Sequence, residues 1–270
     1  MKKPVKRSKF RIRLGTYYYM IKRYLDWYLT NKRWAKKKTE NLLDYTIFSH
    51  KTPLLRKLKD VDMGMQYNKI KNLKLATKKL DKIVIHPGET FSYWRLIGKP
   101  TKKKGYVHGM VLQDGKVKSG VGGGLCQLSN LIYWMTLHTP LTVTERYRHT
   151  YDVFPDSKRK MPFGSGATCT YNFIDLQIKN DTNQTFQLVL YLTEDELIGE
   201  WRSDQELCHT YEVYEKDHWI THEHWGGYIR HNIIHRKVYN QKNELINDEY
   251  VTENHAIMMY QPFLQKASMN

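Results

Sequence analysis

Four glycines in five positions, Gly120-Val121-Gly122-Gly123-Gly124, run directly into Leu125-Cys126-Gln127-Leu128-Ser129. Glycine at that density serves positive φ or a close approach of backbone to another backbone or to a ligand. Leu125, Leu128, Leu131, Ile132 and Met135 then recur at helical spacing up to His138-Thr139-Pro140, which predicts a helix with Cys126 in its first turn. At that position the unpaired N–H groups and the positive end of the helix dipole favour thiolate over thiol. The expectation is therefore a lowered Cys126 pKa and a nucleophile near neutral pH. The same donors suit an oxyanion, so Gly123, Gly124 and the Cys126 amide are candidates to line it, with Gln127 and Ser129 as candidate substrate contacts. A buried helix thiol behind a flexible loop is the other reading, because unpaired cysteine is among the most buried residue types.

A base is sought next. Val143-Thr144-Glu145-Arg146-Tyr147-Arg148-His149-Thr150-Tyr151 reads as a strand, which puts Glu145, Tyr147 and His149 on one face and Arg146 and Arg148 on the other. A helix, turn and strand return the chain toward the helix start, so His149 is the candidate base for Cys126. Arg146 and Arg148 are candidates for a substrate carboxylate. A solvated strand of mixed charge is the alternative. Pro162-Phe163-Gly164-Ser165-Gly166-Ala167-Thr168-Cys169 forms a second glycine-bearing loop, followed by Asp175, which interrupts an apolar run. Asp175 is the candidate orienter of His149, with Asp152 as competitor. The spacing of Cys126 and Cys169 gives no support to a redox pair. His218, His222 and His224 beside Glu223 have the types of metal ligands but no standard zinc spacing, and Gly122-Gly123-Gly124 lacks the ending of a phosphate loop. No metal and no cofactor are expected.

The elements that must position these groups follow from periodicity. Tyr17, Met20, Ile21, Tyr24, Leu25, Tyr28 and Leu29, with Trp27 and Trp34, predict an amphipathic helix over 14–35. Ile70, Leu73, Ala76 and Leu80, opposite Lys71, Lys74, Lys78 and Lys79, predict a second over 65–81. Ile83-Val84-Ile85 reads as a strand, and from residue 141 the pattern turns mostly to period two, as in Phe186, Leu188, Leu190 and Leu192. The expected class is α+β: N-terminal amphipathic helices, a central helix carrying the cysteine at its start packed on mostly antiparallel strands, and a β-rich C-terminal region. The expected division is a basic, aromatic-rich helical segment over 1–60, a core domain over 61–204 and a β-rich region over 205–270.

Charge separates along the chain. The 270 residues carry 44 Lys plus Arg against 27 Asp plus Glu, a net +17, yet residues 1–104 hold 29 basic and 7 acidic side chains and residues 105–270 hold 15 and 20. Tyr and Trp beside Lys and Arg in the first helix suit the surface of an anionic membrane, and no nucleic-acid motif accompanies the charge, so no nucleic acid is expected as partner. No apolar run is long enough to span a bilayer, and Arg11, Arg13, Lys22 and Arg23 interrupt what would follow a secretory start. The expected location is the cytoplasm or the periphery of the cytoplasmic membrane, with an extracellular site left open.

Pro87-Gly88-Glu89-Thr90-Phe91-Ser92, the Gly120 to Ser129 run and Arg148-His149-Thr150-Tyr151-Asp152-Val153-Phe154-Pro155 together resemble the VanW family, and the likeness continues into Trp225-Gly226-Gly227-Tyr228 and Ala256-Ile257-Met258-Met259-Tyr260. Members of that family accompany some bacterial vancomycin-resistance gene clusters. Some extracellular relatives of the domain are associated with L,D-transpeptidase activity through a cysteine acyl-enzyme. What the resemblance implies is a cysteine acyl-transfer enzyme, transpeptidase-like or carboxypeptidase-like, acting on peptidoglycan stem peptides or their precursors with Cys126 as nucleophile. The alternative is a non-catalytic accessory module that binds a cell-wall precursor or a membrane partner.

Overall fold

The computed structural model describes residues 7–55, 63–113, 115–153 and 161–262. The basic start Met1 to Lys6, and Phe154 and Pro155 of the third motif, lie outside the described residues. In chain order the elements are α1 (Lys9–Leu29), β1 (Arg33–Trp34), β2 (Tyr45–Pro53), α2 (Met63–Leu80), β3 (Ile83–Ile85), β4 (Glu89–Ser92), α3 (Tyr93–Ile97), β5 (His108–Gln113) and β6 (Lys116–Val121). There follow α4 (Cys126–Thr136), β7 (Thr142–Glu145), β8 (Tyr151–Asp152), β9 (Gln177–Lys179), β10 (Phe186–Leu192), β11 (Glu196–Ser203), β12 (His209–His222), β13 (Tyr228–Asn240) and β14 (Leu245–Met258). The class is α+β with mostly antiparallel sheets and a β-rich C-terminus, as the periodicity predicts.

Alternation builds the sheet on which α4 rests. In β11 every second residue is buried, Leu197, Gly199, Trp201 and Ser203, and the strand lies between β2 and β10 in the order β2-β11-β10-β3. Register places Phe186 opposite Ile85 and Trp201 opposite Phe48. A second sheet runs β1-β4-β9-β7 and a third β12-β13-β14-β8, while β5 and β6 form a hairpin. Leu128, Leu131, Ile132, Tyr133, Trp134 and Met135 bury α4 on nearly every side, the signature of a core helix rather than a surface one. Trp201 Nε1 donates to Thr136 Oγ1 at 3.1 Å and fixes the far end of α4 to β11.

Two expectations need correction. The first helix begins at Lys9 and ends at Leu29, and Trp34, read as part of it, sits in β1, which pairs in parallel with β4. Segment 1–60 is thus not wholly helical, because β2 joins β11. The strand expected over 143–151 is also broken. Its β7 part stops at Glu145 beside a register shift against β9, and the chain resumes strand form only at Tyr151. Residues 146–150 are irregular, so the alternation that would align Glu145, Tyr147 and His149 does not exist.

Candidate functional site

Cys126 is the first residue of α4, as its apolar spacing predicts. The approach to it is held on several sides. Asn72 of α2 donates through Nδ2 to the carbonyls of Val107 and Gly123, at 3.0 and 2.9 Å, and accepts from the Val107 amide at 2.9 Å. Tyr93 Oη donates to the Leu125 carbonyl at 2.9 Å. Gln127 Nε2 donates to Thr52 Oγ1 and the Pro53 carbonyl at 2.9 and 3.0 Å, tying α4 to β2.

The glycines have a packing reason. A Cβ on Gly123 would lie 2.2 Å from the carbonyl carbon and oxygen of Gly109, so two backbones meet where no side chain fits. Gly124 has φ +92° and lies over the stem of Lys69, whose Cγ would be 2.2 Å from an added Cβ. Gly123 N–H donates to the Gly120 carbonyl at 3.0 Å. Gly123 therefore offers no donor to an oxyanion, and the Cys126 amide is turned to its own thiol, whereas the amides of Gly124 and Leu125 have no acceptor among the described residues. Those two N–H groups are what the helix start leaves available.

The thiol itself departs from expectation. Cys126 is partly exposed as a residue, and its thiol donates to the Cys169 carbonyl at 3.8 Å. Burial pushes its pKa up, and the backbone hydrogen bonds of Cys126 and Cys169 only partly oppose that. The lowering expected from the helix terminus is outweighed, because desolvation disfavours the thiolate more than nearby donors favour it. Cys169 is buried beside it, and its thiol is pushed well up by burial and then by the charge of Asp175. Tyr93 is close enough to feel both thiols.

His149 is half-buried. Burial, and then the Arg148 cation, lower its pKa, so it is neutral and able to accept a proton at pH 7. No hydrogen bond joins it to Cys126, Asp175 or Asp152 among the described residues. Its segment does run past the second glycine loop, with the Thr168 amide donating to the Tyr147 carbonyl at 2.8 Å, one residue before Cys169.

Asp175 does not orient His149. Its Oδ2 accepts from Ser92 Oγ at 2.5 Å, and its Oδ1 accepts from the amides of Trp94 and Leu176 at 2.9 Å each, so it holds the start of α3. Burial raises its pKa to about 7 against the pull of Ser92, Trp94 and Arg23. The competitor Asp152 accepts from Tyr260 Oη at 2.8 Å.

The other candidates are likewise engaged within the protein. Ser129 is fully buried, and its hydroxyl donates to the Ala167 carbonyl at 2.7 Å. Arg146 donates to the carbonyls of Gly164 and Gly166 and to Asn254 Oδ1, and it covers the Tyr133 ring at 5.0 Å. Arg148 covers the Phe163 ring at 3.7 Å. Both arginines were expected to face a substrate, and Arg146 instead clamps the second glycine loop. His218 accepts from Arg230 at 3.0 Å.

Reasoning from sequence missed Asn72, Tyr93 and Asn130, whose Oδ1 accepts from the Ala167 amide at 2.8 Å. Asn72 is fully buried beside Leu73, and a polar residue next to an apolar stripe was the faint signal. Glu145 accepts from Arg23 and, at 3.2 Å, from the Asp175 amide. It also lines a cavity of about 650 Å³ with Lys32, Arg33, Thr90, Tyr147 and Lys179 among others, and neither Cys126 nor His149 is in that lining. Among the described residues no three His, Cys, Asp or Glu gather to hold a metal ion.

Comparison with known proteins bears on the same region. A family model described as VanW like protein matches residues 68–202, which run from α2 to the end of β11. The Vancomycin B-type resistance protein VanW of Enterococcus faecalis is 38% identical over 174 residues, 64% of this chain and 63% of that protein. The Uncharacterized protein YoaR of Bacillus subtilis is 34% identical over 113 residues, 42% of this chain and 36% of that protein. The matched stretch is under two thirds of either relative's length. No solved structure shows a significant match.

Proposed function

This chain belongs to the VanW-like family, and from that premise we propose that it serves glycopeptide resistance by acyl transfer on peptidoglycan stem peptides or their precursors, with Cys126 as the reacting thiol. The observation that carries the reading is the placement of Cys126 as the first residue of α4, beside amides of Gly124 and Leu125 that lack acceptors among the described residues. A nucleophile and a set of donors for a developing oxyanion then stand together.

In this reading the thiol loses its proton to neutral His149, and the sulfur attacks the carbonyl carbon of the amide before a terminal D-residue. The amide oxygen gathers negative charge facing the free N–H groups, the C–N bond breaks, and the leaving amine takes the proton from His149. An amine or water then attacks the thioester, and the thiol is restored. Catalytic hydrogen bonds commonly close only when substrate is seated, which is how His149 reaches a thiol it does not contact at rest.

A specific observation favours a second reading. Burial raises Cys126, and Arg146, Ser129 and Gln127 are all engaged within the protein. A module that binds a cell-wall precursor without covalent chemistry needs only the free amides. Stem tetrapeptide incubated with the protein and with Cys126→Ala, read by mass spectrometry of the products, separates the two. The acyl-transfer reading expects loss of the terminal residue with the first and not with the second. Identical product profiles overturn it.

A further inference from the structure

We propose that α1 is an interfacial helix that docks the protein on the surface of an anionic lipid bilayer, through a stripe formed by Phe10, Leu14, Tyr17, Ile21, Leu25 and Tyr28. Phe10 is 72% exposed, Ile21 58% and Tyr28 67%, and the other three are exposed as well. At 3.6 residues per turn the six fall within an arc of roughly 80°, along a line of about 27 Å. The face that holds α1 to the protein lies elsewhere on the helix. Arg23 and Trp27 are its buried residues, and Arg23 donates to Glu145 and to the Asn172 carbonyl. Residues 9–14 are exposed on every side. From Phe10 to Leu25 the stripe thus points away from the body that α1 packs on, while Tyr28 at its end meets Arg95 of α3.

What covers it is indicated by charge. Arg13 flanks the stripe on one side, its guanidinium 5.9 Å from the Tyr17 ring, and Arg11 and Lys22 flank it on the other. Arg95 lies over the Tyr28 ring at 4.9 Å and adds a cation at the far end. Asp26 is the one acidic residue of the helix, and it is tied to Arg23 and Lys32. An apolar stripe rich in tyrosine and bordered by cations suits lipid headgroups of negative charge, with the rings at the headgroup level and Lys and Arg on the phosphates. No described helix is long and apolar enough to cross a membrane.

The docked helix would hold the candidate site near the lipid. Tyr24 Oη bonds Tyr171 Oη at 3.0 Å, and Tyr171 is two residues past Cys169, whose carbonyl meets the Cys126 thiol. A peptide carried on a lipid is then the substrate form within reach. The docking itself does not depend on the thiol chemistry, so Cys126→Ala is expected to bind vesicles as the unmodified protein does.

The test is co-sedimentation of the full chain with vesicles of phosphatidylcholine, with and without phosphatidylglycerol. Partitioning is expected on the anionic vesicles and to be weak on neutral ones. Combined Arg11→Gln, Arg13→Gln and Lys22→Gln, all exposed and with no hydrogen bond from their side chains among the described residues, should weaken it roughly a hundred-fold. Combined Phe10→Ser, Leu14→Ser and Ile21→Ser should weaken it roughly ten-fold or more, and unchanged thermal melts verify that each variant is folded. Equal partitioning on both vesicle types, or either triple variant binding like the parent, overturns the proposal. So does a concentration-dependent dimer in sedimentation equilibrium that the serine variant abolishes, since a second copy would then cover the stripe.

Discussion

Asp175→Asn should make the protein's stability less dependent on pH, by an amount the site allows to be worked out. The carboxyl is fully buried, and burial raises its pKa from the ordinary 3.8 to about 7. A carboxyl raised in the folded state holds its proton better folded than unfolded. Its contribution to stability is intact below 3.8 and is lost as pH climbs through about 7. At about 1.4 kcal/mol for each pH unit, that gap corresponds to about 4 kcal/mol. Asparagine keeps an oxygen for the amides of Trp94 and Leu176 and presents an N–H to Ser92 Oγ, so it resembles the protonated acid. Urea unfolding of both proteins from pH 4 to pH 8 is the assay. Near pH 4 the two should agree, and above pH 7 the variant should be the more stable by about 4 kcal/mol. Histidines that titrate in the same window are common to both and cancel in the difference. A difference that stays flat across the range would refute the reasoning, because Asp175 would then be ionised throughout.

Other expectations can be checked separately. His138, stacked on Phe48 at 3.9 Å and bonded through Nδ1 to the Trp134 carbonyl, has its pKa lowered by burial to about 4. Its ring should stay neutral in an NMR titration until pH nears that value, and stability from this group should fall as pH drops from about 6.5 toward 4. Gly123→Ala should destabilise by about 3 kcal/mol in denaturant unfolding, since the Gly109 backbone cannot yield easily. A stable Gly123→Ala protein would return that glycine to a role in ligand approach. Arg146→Lys should cost about 2–4 kcal/mol by the same measurement, because one ammonium cannot replace a guanidinium that reaches Gly164, Gly166 and Asn254 together.

How far the sequence could be read depended on whether the cause of each feature was local. The start of α4 at Cys126 and the strand over Phe186–Leu192 follow from spacing within one segment, and both were legible. The end of α1 was not, because Trp34 is drawn out of the helical pattern by parallel pairing with β4, far along the chain. The broken strand at Glu145 has the same origin. Arg146 leaves the sheet to meet carbonyls of a loop that follows it, and no period of two records that partner. The glycines illustrate a subtler limit. Their density announced a close approach, but whether to a ligand or to another backbone depends on Gly109, which lies on the facing strand of the β5–β6 hairpin opposite Gly120. Cys126 was placed correctly and its titration was not, because helix position is a local property and burial of the sulfur is a tertiary one.

The central claim is that Cys126 reacts. Intact-protein mass spectrometry after rapid acid quenching of the protein with the stem tetrapeptide tests it most directly. Acyl transfer predicts a mass increase equal to the peptide less the free terminal amino acid it releases, mapped to Cys126 and absent from Cys126→Ala. An unmodified protein at every quench time, with the peptide bound at equal affinity by both proteins, would contradict it and leave a binding module in its place.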